Sequence, residues 1–167
     1  MPANTPRGFP YPLPAEPVAE GAQAIRNLAE AIDAKDAGRE LAYVERTTAL
    51  TLGTSPTVIV TAPAITLDGS TRVLIEFFAS AWNFTATSAN SFLDLWEAAM
   101  IARLAQLTNS TGAAAIVLPV YGRWYTTPTA GAHTYSARGW ANTGSITLQA
   151  GAAGSTYVPA FLRVSRA

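Results

Sequence analysis

"SFLDLWEAAMIARLAQLT", residues 91–108, can be read in two ways, and the fold class turns on the choice. Phe92, Leu95, Trp96, Met100, Leu104 and Leu107 would line one face of a helix. Yet "FLDLWE" at 92–97 also alternates in part, as a half-buried strand does. The neighbours break the tie. Everything around this stretch has β-type composition punctuated by turn residues, so it is read as two strands joined around Glu97-Ala98-Ala99.

Upstream lie "LAYVERTTALTL" (41–52), "TVIVTAPAITL" (57–67), the turn Asp68-Gly69-Ser70 and "TRVLIEFFASAWNF" (71–84). In the last, Val73, Ile75 and Phe77 fall on one face and Leu74, Glu76 and Phe78 on the other. Downstream, "AAAIVLPVYGRWYTT" (113–127) and "HTYSARGWAN" (133–142) read as long strands, followed by "GSITLQAG" (144–151) and "TYVPAFLRVSR" (156–166). Pro159 interrupts the alternation there and is expected at a bulge or a sheet edge. The series predicts about eight to ten strands and a mainly β, jelly-roll-like antiparallel sandwich over residues 39–167.

The chain ahead of the strands is different. "PVAEGAQAIRNLAEAIDAKDAG" (17–38) is rich in good helix formers and ends on Gly38, which predicts one short α-helix within 18–38. Val18, Ile25, Leu28 and Ile32 recur at spacings of seven, three and four, an apolar seam that must bury itself. It either packs on its own domain or gathers copies of the chain around an axis. Before it, "TPRGFPYPLP" (5–14) carries four prolines and two aromatics, so residues 1–17 read as a stiff, extended arm.

Composition limits the function. The 167 residues suffice for one domain with a core and an appendage. Eleven acidic and eleven basic side chains balance, which gives no electrostatic case for nucleic acid or an anionic membrane surface. With no cysteine, disulfides, thiolate metal sites and cysteine nucleophiles are excluded. No apolar run reaches the roughly 20 residues of a membrane span, and no signal peptide is evident. Twelve of the 22 charged side chains fall in residues 1–46, leaving a weakly charged, Ser/Thr-rich body. That suits either a surface covered by identical neighbours or a plain β-domain.

Catalytic signals are sparse. His133 is the sole histidine, and it reads as structural or surface. No Gly-x-Ser-x-Gly elbow, Walker motif or dinucleotide fingerprint occurs. Asp94 and Glu97 could be drawn as a hydrolase acid pair, but at three residues apart they read better as solvated charges. No enzymatic activity, metal or cofactor is expected. The aromatics are more suggestive: Trp124, Tyr125 and Trp140, with Trp82, Trp96, Tyr121 and Tyr135, lie in or near strands. Buried, they fill a core or subunit interface; exposed, they offer stacking surface for a sugar.

The segment Thr5–Asp33 resembles the N-termini of tail-associated structural proteins of bacteriophages, particularly those infecting actinobacteria. These commonly open with Thr-Pro-Arg-Gly-aromatic-Pro-Tyr-Pro, then an acidic-proline turn and a short Ala/Leu-rich helix. "PTAGAHTYSARGWAN" (128–142) and the closing "VPAFLRVSRA" (158–167) are similar to phrases of their C-terminal β-domains. The resemblance implies a virion component, a homotrimer in contact with other virion proteins, with an arm that docks to the particle and a β-sandwich head. On that expectation Arg7, Phe9 and Tyr11 are the docking anchors, since Arg and aromatics carry interface energy. The fibrous repeats of longer relatives are missing, which leaves room for a tail-tip component or a capsid decoration protein. A monomeric carbohydrate-binding module for bacterial surface glycan is the alternative from another class.

Overall fold

The computed structural model describes residues 3–4, 10–11, 23, 25–32, 39–85, 89–109, 116–152 and 154–167. The chain divides into two compact units, Met1–Glu40 and Leu41–Ala167.

In the first unit, strand β1 (Ala3–Asn4) pairs antiparallel with β2 (Pro10–Tyr11), with Ala3 opposite Tyr11 and Asn4 opposite Pro10. The proline count argued against any strand here. A two-residue bridge tolerates Pro10 because its carbonyl still accepts. Residue 23 and residues 25–32 are helical, and the latter run is α1. Gln23 Nε2 donates to Asn27 Oδ1 at 2.7 Å, one turn along.

The second unit contains β3 (Glu40–Arg46), β4 (Leu50–Leu52), β5 (Thr57–Thr61), β6 (Ile65–Asp68), β7 (Val73–Phe84) and β8 (Ala89–Glu97). It continues through β9 (Ala99–Asn109), β10 (Val117–Thr126), β11 (Ala130–His133), β12 (Ser136–Ala141), β13 (Ile146–Gln149) and β14 (Ala160–Arg166). That is two strands more than the largest number expected. Runs read as single strands are split, at Ala62–Ala64 around Pro63 and again at Thr134–Tyr135. Pro159 stands immediately ahead of β14 instead of forming a bulge or an edge inside it, and there its missing N–H is harmless.

The fold is a jelly-roll-like antiparallel sandwich. In the larger sheet β7 is the spine. β10 pairs along one edge; β14 and then β13 share the other, continued outward by β3 and β4. The smaller sheet runs β5-β12-β8-β9, and β6 and β11 form a separate two-stranded ladder. The ambiguous stretch is the β8–β9 hairpin, with Ala98 at φ 56° making the turn.

The core is apolar side chains from both sheets, with Phe77, Trp82, Phe84, Leu52, Leu93, Leu95, Ile146, Leu148 and Leu162 fully enclosed. One register shift decides its shape. Strand β7 buries Val73, Ile75, Phe77, Ala79 and Ala81 in strict alternation. Between Leu118↔Trp82 and Val120↔Ala79 it then carries an extra residue. This bulge reverses the phase, so Trp82 and Phe84 turn inward where Asn83 would otherwise have pointed. Gly139 on β12 makes room for the indole: a Cβ there would stand 2.8 Å from Trp82 Cη2 and 2.8 Å from Leu52 Cδ1.

Candidate functional site

Strands β9 and β10 follow one another in sequence but belong to different sheets, and they pack together along one open edge of the sandwich. At mid-length the approach is close, since a Cβ on Gly122 would fall 2.6 Å from Leu104 Cβ. Trp124 lies two residues beyond Gly122 on β10, and Met100 and Ile101 lie at the start of β9.

This edge is where apolar surface is left over. The head exposes nine large apolar side chains among its described residues, and six lie on these two strands: Met100, Ile101, Val117, Tyr121, Trp124 and Tyr125. The other three, Tyr43, Val58 and Val158, are scattered. Neither edge invites strand addition. Opposite β8, strand β9 carries two bulges, between Leu93 and Asp94 and between Leu95 and Trp96, and β10 carries Pro119.

Alternation along β10 sends Val120 and Gly122 into the sandwich and Tyr121, Arg123 and Tyr125 to the outer face of the larger sheet. Register then places Arg123, Glu76 and Arg163 directly opposite one another across β10, β7 and β14. Tyr121, Phe78 and Phe161 form the next row, which Tyr43 continues at 5.7 Å from Phe161. The Tyr121 hydroxyl donates to Glu76 Oε1 at 2.6 Å; Arg163 donates to Oε2 from Nη2 at 2.6 Å and from Nε at 3.1 Å. Burial pushes the Glu76 carboxyl up, but these hydrogen bonds and the charges of Arg163 and Arg123 outweigh it, so its pKa ends below the usual value. The same hydrogen bond raises the Tyr121 phenol. The guanidinium of Arg72 sits 4.8 Å over the Tyr125 ring. Arg123 itself has no hydrogen-bond or ion-pair partner among the described residues.

The outer face of the smaller sheet repeats the scheme with different contacts. Asp94 stands opposite both Arg138 and Arg103, and it is fully buried. Arg103 Nε donates to Asp94 Oδ1 at 2.6 Å while its guanidinium lies 4.2 Å over Phe92 and 5.2 Å over Trp140. Arg138 lies 4.4 Å over Trp96. Asp94 Oδ2 and Arg138 Nε, on register-paired residues, are both buried without a hydrogen-bond partner among the described residues.

The expected site residues separate accordingly. Trp124 and Tyr125 are neighbours on β10 but point to opposite sides, each 41% exposed, whereas Trp140 is on the other sheet, its ring 5.2 Å from Phe92 and tilted to it by 36°. The three do not form one platform. Asp94 and Glu97, read as solvated charges, are instead both engaged, Asp94 by Arg103 and Glu97 by His133. His133, read as structural or surface, is buried and engaged through both ring nitrogens. Its Nδ1 is 2.6 Å from Glu97 Oε1 and its Nε2 2.8 Å from the Thr129 carbonyl, and its ring stacks on Tyr135. The Thr129 carbonyl and, against the effect of burial, the Glu97 carboxylate raise the imidazole pKa. Burial, with Glu97 nearby, pushes the Tyr135 phenol up to about 12.

On α1, Ile25 and Ile32 are exposed, at 63% and 43%, and Leu28 is half-buried. Arg7, Phe9 and Val18 lie outside the described residues, as does the side chain of Tyr11. Sequence reading missed Tyr121, Arg123 and Glu76 as a unit; the period-two phrase Tyr121-x-Arg123-x-Tyr125 was its only visible trace. Among the described residues, no three His, Cys, Asp or Glu side chains gather to hold a metal ion, and no helix is long and apolar enough to cross a membrane.

No family model and no curated protein matches the chain. Among solved structures it is similar to the C-terminal carbohydrate-binding module CBM6 of LamC, a marine laminarinase from Zobellia galactanivorans, at 15% identity and a TM-score of 0.34, over 74% of this chain and 88% of that one. It is also similar to the carbohydrate-binding module CBM6cm-2 of Cellvibrio mixtus lichenase 5A, solved with cellotriose, at 14% identity and a TM-score of 0.31, over 77% and 90%.

Proposed function

We propose that this chain is a non-enzymatic structural component of a bacteriophage virion, of tail-tip or tail-fibre type. It docks through its N-terminal arm and presents a trimeric β-sandwich head. The virion context rests on the resemblance of Thr5–Asp33 to phage tail-associated proteins. The observation that carries self-association is a seam of exposed apolar side chains, Met100, Ile101 and Trp124, on the two packed strands β9 and β10. Exposed apolar area concentrated on one edge marks a contact surface, and Met and Trp are enriched in such contacts. Ile25 and Ile32, exposed on α1, give a second stripe that a neighbouring copy would cover.

Light scattering or native mass spectrometry on the full chain and on a version starting at Glu40 tests this. Trimers in both support the head seam, and Ile101→Ser with Trp124→Ser should then release monomers. A trimer only in the full chain makes α1 the organiser. Monomers in both overturn the trimeric reading. Particle docking is tested separately: Phe9→Ala with Tyr11→Ala should abolish incorporation into virions while the head stays folded.

A second reading, recognition of bacterial surface glycan, is favoured by the Tyr121-Arg123-Tyr125 strip, which faces away from the seam. It is compatible with the first, because the two surfaces are distinct.

A further inference from the structure

We infer that the outer face of β10 binds an acidic saccharide, with the carboxylate of a uronic-acid unit held by Arg123 between sugar rings stacked on Tyr121 and Tyr125. This rests on the glycan reading and names its ligand class.

The strip is a built surface. Extended geometry separates the anchor points of Tyr121 and Tyr125 by about 13 Å, with Arg123 midway at about 7 Å from each. Both rings are held in place by the fold. Tyr121 is tethered to Glu76 through its hydroxyl, and Glu76 is itself clasped by Arg163. Tyr125 is held by Arg72. Rings immobilised before binding lose little conformational freedom when a ligand stacks on them. The strip is still open, with Tyr121 51% and Tyr125 41% exposed.

Charge selects among ligands. Arg72, Arg123 and Arg163 stand with two carboxylates, Glu76 and the Glu45 that accepts from the Tyr43 hydroxyl, so the face keeps a positive excess, and neither the Arg72 nor the Arg123 guanidinium has a hydrogen-bond or ion-pair partner among the described residues. A planar guanidinium matches a planar carboxylate through two parallel hydrogen bonds. In a uronic acid the carboxylate is bonded directly to the sugar ring, so a ring stacked on either tyrosine delivers its acid to the neighbouring arginine. A polyol-phosphate polymer has no rigid ring-to-charge spacing of that kind. A protein partner would find flat sheet surface in place of the enclosed pocket that anchors an interface.

Titration calorimetry on the full chain, with a galacturonic-acid tetramer, its methyl ester and poly(ribitol phosphate), tests the inference. The acid should bind about tenfold more tightly than the ester, the weight of one charge-assisted hydrogen bond. Arg123→Gln should erase that preference, and Tyr121→Ala with Tyr125→Ala should abolish binding of both forms. Arg166→Gln is the charge control and should change nothing. A single cooperative urea transition for each variant, at a lower midpoint for the tyrosine pair because the Tyr121–Glu76 bond is lost, excludes misfolding. Equal binding of acid and ester, or a preference that survives Arg123→Gln, overturns the acidic ligand while leaving glycan recognition standing. Preference for the phosphate polymer also overturns it. Binding of none of the three overturns it together with the glycan reading on which it rests.

Discussion

Tyr121 and Glu76 are diagonal neighbours across the β10–β7 ladder, two residues out of register, and their 2.6 Å hydrogen bond ties an exposed ring to a carboxylate at the centre of the sheet. The tie orders the outer face, because the same carboxylate accepts twice from Arg163.

Tyr121→Phe should destabilise the fold by about 1 kcal/mol, the net worth of one hydrogen bond. Glu76→Ala should cost more, about 1–2 kcal/mol, because it removes the acceptor of both Tyr121 and Arg163. The double variant should be less destabilised than the sum, since both changes break the same bond. Urea unfolding of the four proteins measures this; strict additivity would show the bond to be idle.

His133 makes stability depend on pH. Its folded pKa is raised above the ordinary 6.5 by the Thr129 carbonyl and Glu97. The stabilisation is therefore complete below about pH 6 and disappears as pH climbs through the raised value. Lowered carboxylates such as Glu76 act in the opposite sense, but only in acid, where their stabilisation is lost as pH falls. Unfolding free energy should decline between pH 6 and pH 9, and His133→Gln should flatten that decline. Because the chain has one histidine, its NMR titration reads the pKa directly; a value at or below 6.5 would contradict the geometry.

Ala98 turns the β8–β9 hairpin at φ 56°, a conformation that costs an L-residue about 1 kcal/mol. Ala98→Gly should recover part of that, raising stability by several tenths of a kcal/mol after the added freedom of the unfolded glycine is deducted. A lower melting temperature for the variant would show the turn to be unstrained.

Gly122 lets the two sheets meet at their open edge. Gly122→Ala should destabilise by about 1–3 kcal/mol, because the new methyl must displace Leu104 at its Cβ and not at a mobile tip. The same change should loosen the seam, so a fall in self-association alongside the fall in stability is the expected pair of readouts.

Much of this head was legible in the chain. The β8–β9 hairpin followed from its surroundings, and Val73, Ile75 and Phe77 are buried as their alternation required. The inward turn of Trp82 was not legible, because the bulge that flips β7 is fixed by pairing with a strand some 35 residues away. Registers of that kind assembled the candidate site as well. Arg123, Glu76 and Arg163 come from three distant segments and share a row only once the sheet exists. Local pattern finds strands; it cannot say which side chains will stand opposite one another. Asp94 shows the converse, a carboxylate that looked solvated and is wholly enclosed by its register neighbours.

The bulges of β9 and the proline of β10 have a consequence for assembly size. Copies drawn together by Met100, Ile101 and Trp124 cannot extend one sheet into the next by backbone pairing, because the strands that meet there offer broken ladders. Under the proposed self-association, contact would be made through side chains, and such a contact closes into a ring of fixed number only where its rotation divides a full turn. An apolar edge of this kind does not template its own extension strand by strand.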